Sequence, residues 1–157
     1  MFNPLGCGIT WRFWFFAAVA LIAPFGMAKA TGLNPAAVSY KLPKQIKWTT
    51  QANGAQTAVL FGNPSSRGLY IVLLKWPPHH MSHPHWHPND RYITVLSGIW
   101  WVGTGKDFNP ASTAPMPVGS FVTDFAKQIH YDGAKDVPVE LEIVGYGPAT
   151  ATPAGVK

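Results

Sequence analysis

The sequence predicts an all-β sandwich or barrel of a single domain. Three observations carry this. The chain has 157 residues, a length for one domain. Fifteen Gly and fifteen Pro leave little room for long helices. Short runs rich in Val, Ile, Thr and aromatic residues alternate with turn chemistry along most of its length.

Taken in order, the predicted strands are 45–51, 56–61, 69–76, 91–102, 119–125, 129–131 and 139–146. Breaks fall at Ala52-Asn53-Gly54, Gly62-Asn63-Pro64, Pro77-Pro78, Gly103-Thr104-Gly105 and Asp132-Gly133. In the run 91–102, Gly98 interrupts an apolar stretch. A glycine there marks a hairpin corner or a close backbone approach, so two short strands joined near Ser97-Gly98 fit better than one long strand. Residues 31–44 read as an extended arm, 45–147 as the β domain, and 148–157 as a flexible, frayed tail.

Residues 13–27 form an apolar run that follows Arg12 and ends before Ala28-Lys29-Ala30. A positive start, an apolar middle and a small-x-small site make a secretory signal over residues 1–30. Its removal predicts a periplasmic or secreted chain beginning at Thr31, with no membrane attachment and no cysteine, since Cys7 leaves with the signal. The full chain has a net charge of +5, but its basic residues are scattered. Nucleic-acid binding needs a clustered basic footprint and is not expected. A dimer fits the aromatic-rich surface and the barrel edges.

Five of the six histidines lie between His79 and His87. In an extended chain His83, His85 and His87 fall on one side, where imidazoles two residues apart can chelate one ion. Neutral imidazole suits Zn, Cu, Fe and Ni. His130 is the one histidine outside the cluster, and a closed barrel can bring its later strand beside the earlier one.

These residues resemble the cupin superfamily, small jelly-roll β-barrels with two sequence motifs. The first motif, G(x)5HxH(x)3,4E(x)6G, aligned on Gly98, puts the HxH at His85 and His87, the Glu position at Arg91 and the opening Gly at His79. The second, G(x)5PxG(x)2H(x)3N, matches at Gly119 and His130, while Phe125, Lys127 and Ala134 replace its Pro, Gly and Asn. The segments LFGNPSSRG and SGIWWVGTG also look like the flanks of small bacterial cupins.

The resemblance implies a cupin-type jelly-roll over 45–147, with a divalent ion (Fe, Zn, Mn, Ni or Cu) held by His85, His87 and His130. Arg91 is a departure, because a cation cannot coordinate and opposes a nearby ion. The alternatives are a three-His site, a site completed by Asp124 or Asp90, a shifted set of His83, His85 and Asp90, or loss of the metal. The implied function is that of an exported, metal-binding small-molecule enzyme. Its chemistry would be dioxygenase-like, or hydrolytic, isomerase or lyase in type. In that reading Arg91 anchors an acidic substrate, and His79, His80 and His83 line the mouth, with His83 a proton carrier. The competing expectation is a non-catalytic periplasmic protein that binds a small acid, a sugar or a metal ion.

Overall fold

The computed structural model describes residues 32–154. The signal expected over 1–30 and the last three residues of the expected tail lie outside the described residues. Residues 32–39 belong to a separate unit, with a turn in which Ala37 and Val38 N–H donate to the Asn34 carbonyl. The body beginning at Tyr40 is almost wholly β.

Two antiparallel sheets make up this body. The first has the order β1 (Thr49–Thr50), β2 (Gln56–Phe61), β3 (Gly68–Trp76), β11 (Val139–Gly147), β6 (Arg91–Ser97), β9 (Phe121–Asp124). The second has the order β12 (Thr152–Pro153), β5 (His85–Trp86), β10 (His130–Ala134), β7 (Ile99–Thr104), β8 (Ala114–Pro117), with β4 (His80–Met81) also paired to β10. Consecutive strands repeatedly change sheets, which is the jelly-roll arrangement of a double-stranded β-helix.

The core lies between the sheets, and alternation explains it. On β11 Val139, Leu141 and Ile143 are buried while Glu140 and Glu142 are only half-buried. On β6 Ile93 and Val95 point the same way, and Tyr70, Trp76 and Trp100 complete the cluster. Each such aliphatic side chain contributes about 1.5–3 kcal/mol on burial.

The chain passes from β6 to β7 at Gly98, so this is a corner between sheets rather than a hairpin. Gly98 has φ +74°, and a Cβ there would meet the Pro138 carbonyl oxygen at 2.1 Å. Both the positive φ and the close approach demand glycine. His79 (φ 61°) and Lys127 (φ 62°) are the two non-glycine residues with positive φ among the described residues. His79 stands at the opening glycine of the first motif and Lys127 at the second glycine of the second, and each holds a φ that glycine adopts without strain.

Four expectations need correction. Asp132-Gly133 is not a turn but lies inside β10. The glycine serves a close approach instead, since a Cβ on Gly133 would meet the His80 carbonyl oxygen at 2.2 Å. The described residues of the expected tail are not frayed: β12 pairs with β5, Ala149 N–H donates to Pro64 O, and Ala154 N–H donates to Pro84 O. In the expected arm, Pro43–Gln45 form a 3-10 turn, and Lys41 Nζ donates to the carbonyls of Val59 and Leu60. The strand expected over 45–51 shrinks to Thr49–Thr50.

Candidate metal centre

β5 and β10 pair with His85 directly opposite His130. His87 follows two residues after His85 and turns inward with it. The ring centroids are 4.5 Å apart for His85 and His130, 4.9 Å for His85 and His87, and 5.4 Å for His87 and His130. One nitrogen from each ring lies within 4.8 Å of the others. The early histidine ribbon and the later strand therefore converge inside the barrel.

Each ring is oriented by a backbone carbonyl. Nδ1 of His85 faces His83 O at 2.8 Å, Nδ1 of His87 faces Thr150 O at 2.9 Å, and Nδ1 of His130 faces Gln128 O at 3.2 Å. A carbonyl only accepts, so each Nδ1 donates and each ring leaves its Nε2 facing away from that carbonyl. That is the outer-shell arrangement typical of metal-ligating histidines. His87 Nε2 is buried and has no partner. Burial, reinforced by the charge of Arg91, holds the His87 pKa down to about 3. Burial also pushes the His85 pKa below its ordinary value, although the Asp132 carboxylate opposes this. These two rings are therefore neutral at pH 7, the form that ligates metal. The donor set, the tautomers and the orphaned Nε2 all fit a divalent cation.

Arg91 and Asp124 sit opposite each other in the β6–β9 register. Arg91 Nη2 donates to Asp124 Oδ2 at 2.5 Å and lies 3.4 Å from His130 Nε2. Asp124 is buried, at 6% exposure, and its Oδ2 is also 3.4 Å from His130 Nε2. Arg91 Nε is buried without a partner. Arg91 is thus at the site, as expected from its motif position. Asp90 is elsewhere, with its Oδ1 accepting from Ala126 N–H at 2.6 Å. The shifted set also fails, because His83 is exposed and packs on Phe108, with ring centroids 4.8 Å apart. His83 and His79 line a separate outer groove, and His83 does not line the central cavity. The expected proton-carrying role of His83 therefore has no geometric basis. Its carbonyl, which orients His85, is its link to the site.

The central cavity has a volume of about 390 Å³ and is bordered by His85, His87 and Arg91 together with Tyr70, Trp76 and Trp100. Sequence reasoning missed Asp132, which also borders it. Asp132 is buried, and its Oδ1 accepts from Trp76 Nε1 and Trp100 Nε1, each at 3.0 Å. Its Oδ2 takes a longer bond of 3.4 Å from Ser82 Oγ. The carboxylate ties a tryptophan of each sheet to β10. Its signal in the sequence was its place two residues after His130, on the same strand face.

Solved structures resemble this arrangement. The polyketide cyclase RemF from Streptomyces resistomycificus matches with TM-score 0.63 at 12% identity, over 76% of this chain and 87% of its own. A cupin-2 domain protein from Rhodospirillum rubrum matches with TM-score 0.59 at 12% identity, over 76% and 81%. An RmlC-like cupin from Shewanella frigidimarina matches with TM-score 0.57 at 14% identity, over 70% and 90%. No protein-family model and no curated protein matches the sequence. These likenesses define the class: the chain has the cupin fold, a double-stranded β-helix. Within it, His85, His87 and His130 come together as a group that could hold a metal ion.

Proposed function

We propose that this chain is an exported, metal-dependent enzyme acting on a small anionic molecule inside the barrel. One observation carries the reading. Three imidazoles bring one nitrogen each within 4.8 Å of the others, and the buried His87 Nε2 has no protein partner there. His85, His87 and His130 would hold the ion, which when bound supplies Lewis-acid polarisation of a substrate oxygen. Arg91 faces the same cavity with an unpartnered Nε, and its planar fork suits a carboxylate or enolate oxygen. The indole walls of Trp76 and Trp100 exclude water from the bound molecule.

Two structural neighbours support lyase or cyclase chemistry as the type. RemF is a polyketide cyclase. Another neighbour, at 17% identity and TM-score 0.54, comes from work on DMSP lyases. Eliminations and cyclisations need a polarised oxygen and a positioned proton acceptor, and no redox partner. Dioxygen chemistry in the same site would require that iron or another redox metal be the one retained.

The test begins with elemental analysis of protein purified without a His tag. Stoichiometric metal is expected, together with turnover of small carboxylic acids that stops with a chelator and returns with one metal. Protein that takes up no divalent ion would overturn the reading. Ligand capture without turnover would reassign the same residues to a binding protein. Export is checked by N-terminal sequencing of the processed chain, with Thr31 expected first. A homodimer through the exposed Leu69, Tyr92, Phe121 and Tyr146 of the first sheet is checked by sedimentation.

A further inference from the structure

The family's carboxylate ligand is missing from this chain at Arg91, yet a carboxylate is present at the histidine cluster. It arrives from another strand. Arg91 and Asp124 are cross-strand partners, and Asp124 shares the inward face of β9 with Val122, which packs on the core. The carboxylate that the first motif puts on β6 stands instead one ladder rung across, on β9.

The distances give this placement a chemical meaning. His130 turns Nδ1 toward Gln128 O, which leaves Nε2 as the nitrogen that faces the site. Asp124 Oδ2 lies 3.4 Å from it. Arg91 Nη2 contacts both, at 2.5 Å and 3.4 Å. The spacing also matches an edge of a tetrahedral site: two donor atoms each about 2.05 Å from one ion sit about 3.3 Å apart. Burial adds a second constraint, because a carboxylate at 6% exposure must remain compensated.

We propose that Asp124 is the fourth protein ligand of the centre, making it a three-His-one-Asp site, and that its carboxylate stays bonded to Arg91 while it ligates. Arg91 then serves Asp124 as the backbone carbonyls serve the histidines, orienting a ligand from outside the first sphere. The carboxylate offsets the positive charge that Arg91 would otherwise press against the ion, while Arg91 Nε remains available to the cavity. The inference rests on the metal reading above.

A double-mutant cycle read as Co2+ affinity, by competition with a chelating dye, tests it. Asp124→Asn is expected to weaken Co2+ binding at least about tenfold. Arg91→Met removes the like charge together with the partner that orients Asp124, and it supplies the background for the cycle. The deciding variant combines the two. If Asp124 ligates, Asp124→Asn still weakens binding at least about tenfold in the Arg91→Met background. If Asp124 only neutralises Arg91, that loss vanishes in the double variant and the inference is overturned. Crystals of the wild-type protein soaked in Zn2+ give a reading independent of variant folding. An Asp124 oxygen within about 2.2 Å of the ion is expected, and an ion bound by the histidines alone overturns the proposal. Wild-type protein that binds no Co2+, with His87→Ala as the control, overturns the metal reading itself. Co2+ bound through the histidines but indifferent to Asp124 overturns this inference only.

Discussion

The two sheets of the barrel are built on different terms. In the first, β3 and β11 run nine residues each in unbroken register from Trp76 opposite Val139 to Gly68 opposite Gly147. Their backbone ladder, their buried apolar side chains and the Lys75–Glu140 ion pair at 3.5 Å keep them together. In the second, β4, β5 and β12 have two residues each. They are held by specific contacts: the Asp132 carboxylate, the Gly133 close approach, and carbonyls that fasten the imidazoles. The regular sheet supplies most of the burial, and the irregular one carries the histidines. Positioning side chains for a ligand uses strands that end and bend where the chemistry needs them, at the expense of ladder length.

If this division is right, stability and metal retention separate by mutation. His87→Ala is expected to lower metal affinity more than about a hundredfold, far beyond the effect of an outer-shell change, with little change in the urea midpoint. Leu141, fully buried on β11, should behave in the opposite way. Leu141→Ala is expected to cost about 2–5 kcal/mol while the metal content of the folded fraction stays unchanged. Elemental analysis beside urea unfolding reads both. A His87→Ala protein that unfolds would show that the site also holds the sheet together.

Asp132 is where the two kinds of construction meet. Asp132→Ala leaves the buried Nε1 groups of Trp76 and Trp100 without their shared acceptor. The expected loss is about 2–4 kcal/mol. Asp132→Asn keeps an acceptor oxygen for both indoles and should cost clearly less. Equal losses from the two variants would mean that the charge, and not the acceptor geometry, matters at this point.

The same region makes the metal-free protein acid-sensitive. Burial holds His87 at about 3 and also lowers His85, whereas an unfolded histidine titrates near ~6.5. Between those values the unfolded chain binds protons that the folded one refuses, so acid favours unfolding. Chelated protein should be fully stable above about pH 6.5 and lose stability as the pH falls toward 3. His87→Gln should flatten that slope in urea titrations. An unchanged slope would assign the sensitivity to other groups.

What could be read in advance follows the same division. The strands at 56–61, 69–76 and 139–146 were legible because Val, Ile, Thr and aromatic residues are concentrated between turn-forming breaks. The histidine convergence was legible through the two motif spacings, and Arg91 stood out because a cation occupied a ligand position. Asp132-Gly133 misled because its residues have turn chemistry. They sit in β10 for reasons that only a folded neighbour supplies, two indole donors and the backbone of β4. His83 misled because alternation was extended through residues that are not strand: β5 covers only His85–Trp86. The carbonyl of Thr150, which orients His87, was hidden for another reason. Any residue has a carbonyl, so nothing in the sequence marks the one that matters.

Lys127 allows a smaller and finer test. It holds φ 62° where the second cupin motif has glycine, and its N–H donates to the His87 carbonyl at 2.7 Å. A residue with a Cβ in the left-handed region costs about 1–2 kcal/mol. Glycine would relieve that strain but give back about 0.4–1 kcal/mol through the greater freedom of the unfolded chain. Lys127→Gly should therefore stabilise the protein by roughly 0.5 kcal/mol, visible as a small rise in the urea midpoint. Metal affinity should not move, because the N–H to His87 survives the change. A stabilised protein with weakened metal binding would mean that strain at this loop helps to set the imidazole. A destabilised one would mean that the lysine side chain, exposed as it is, makes a contact worth more than the strain it brings.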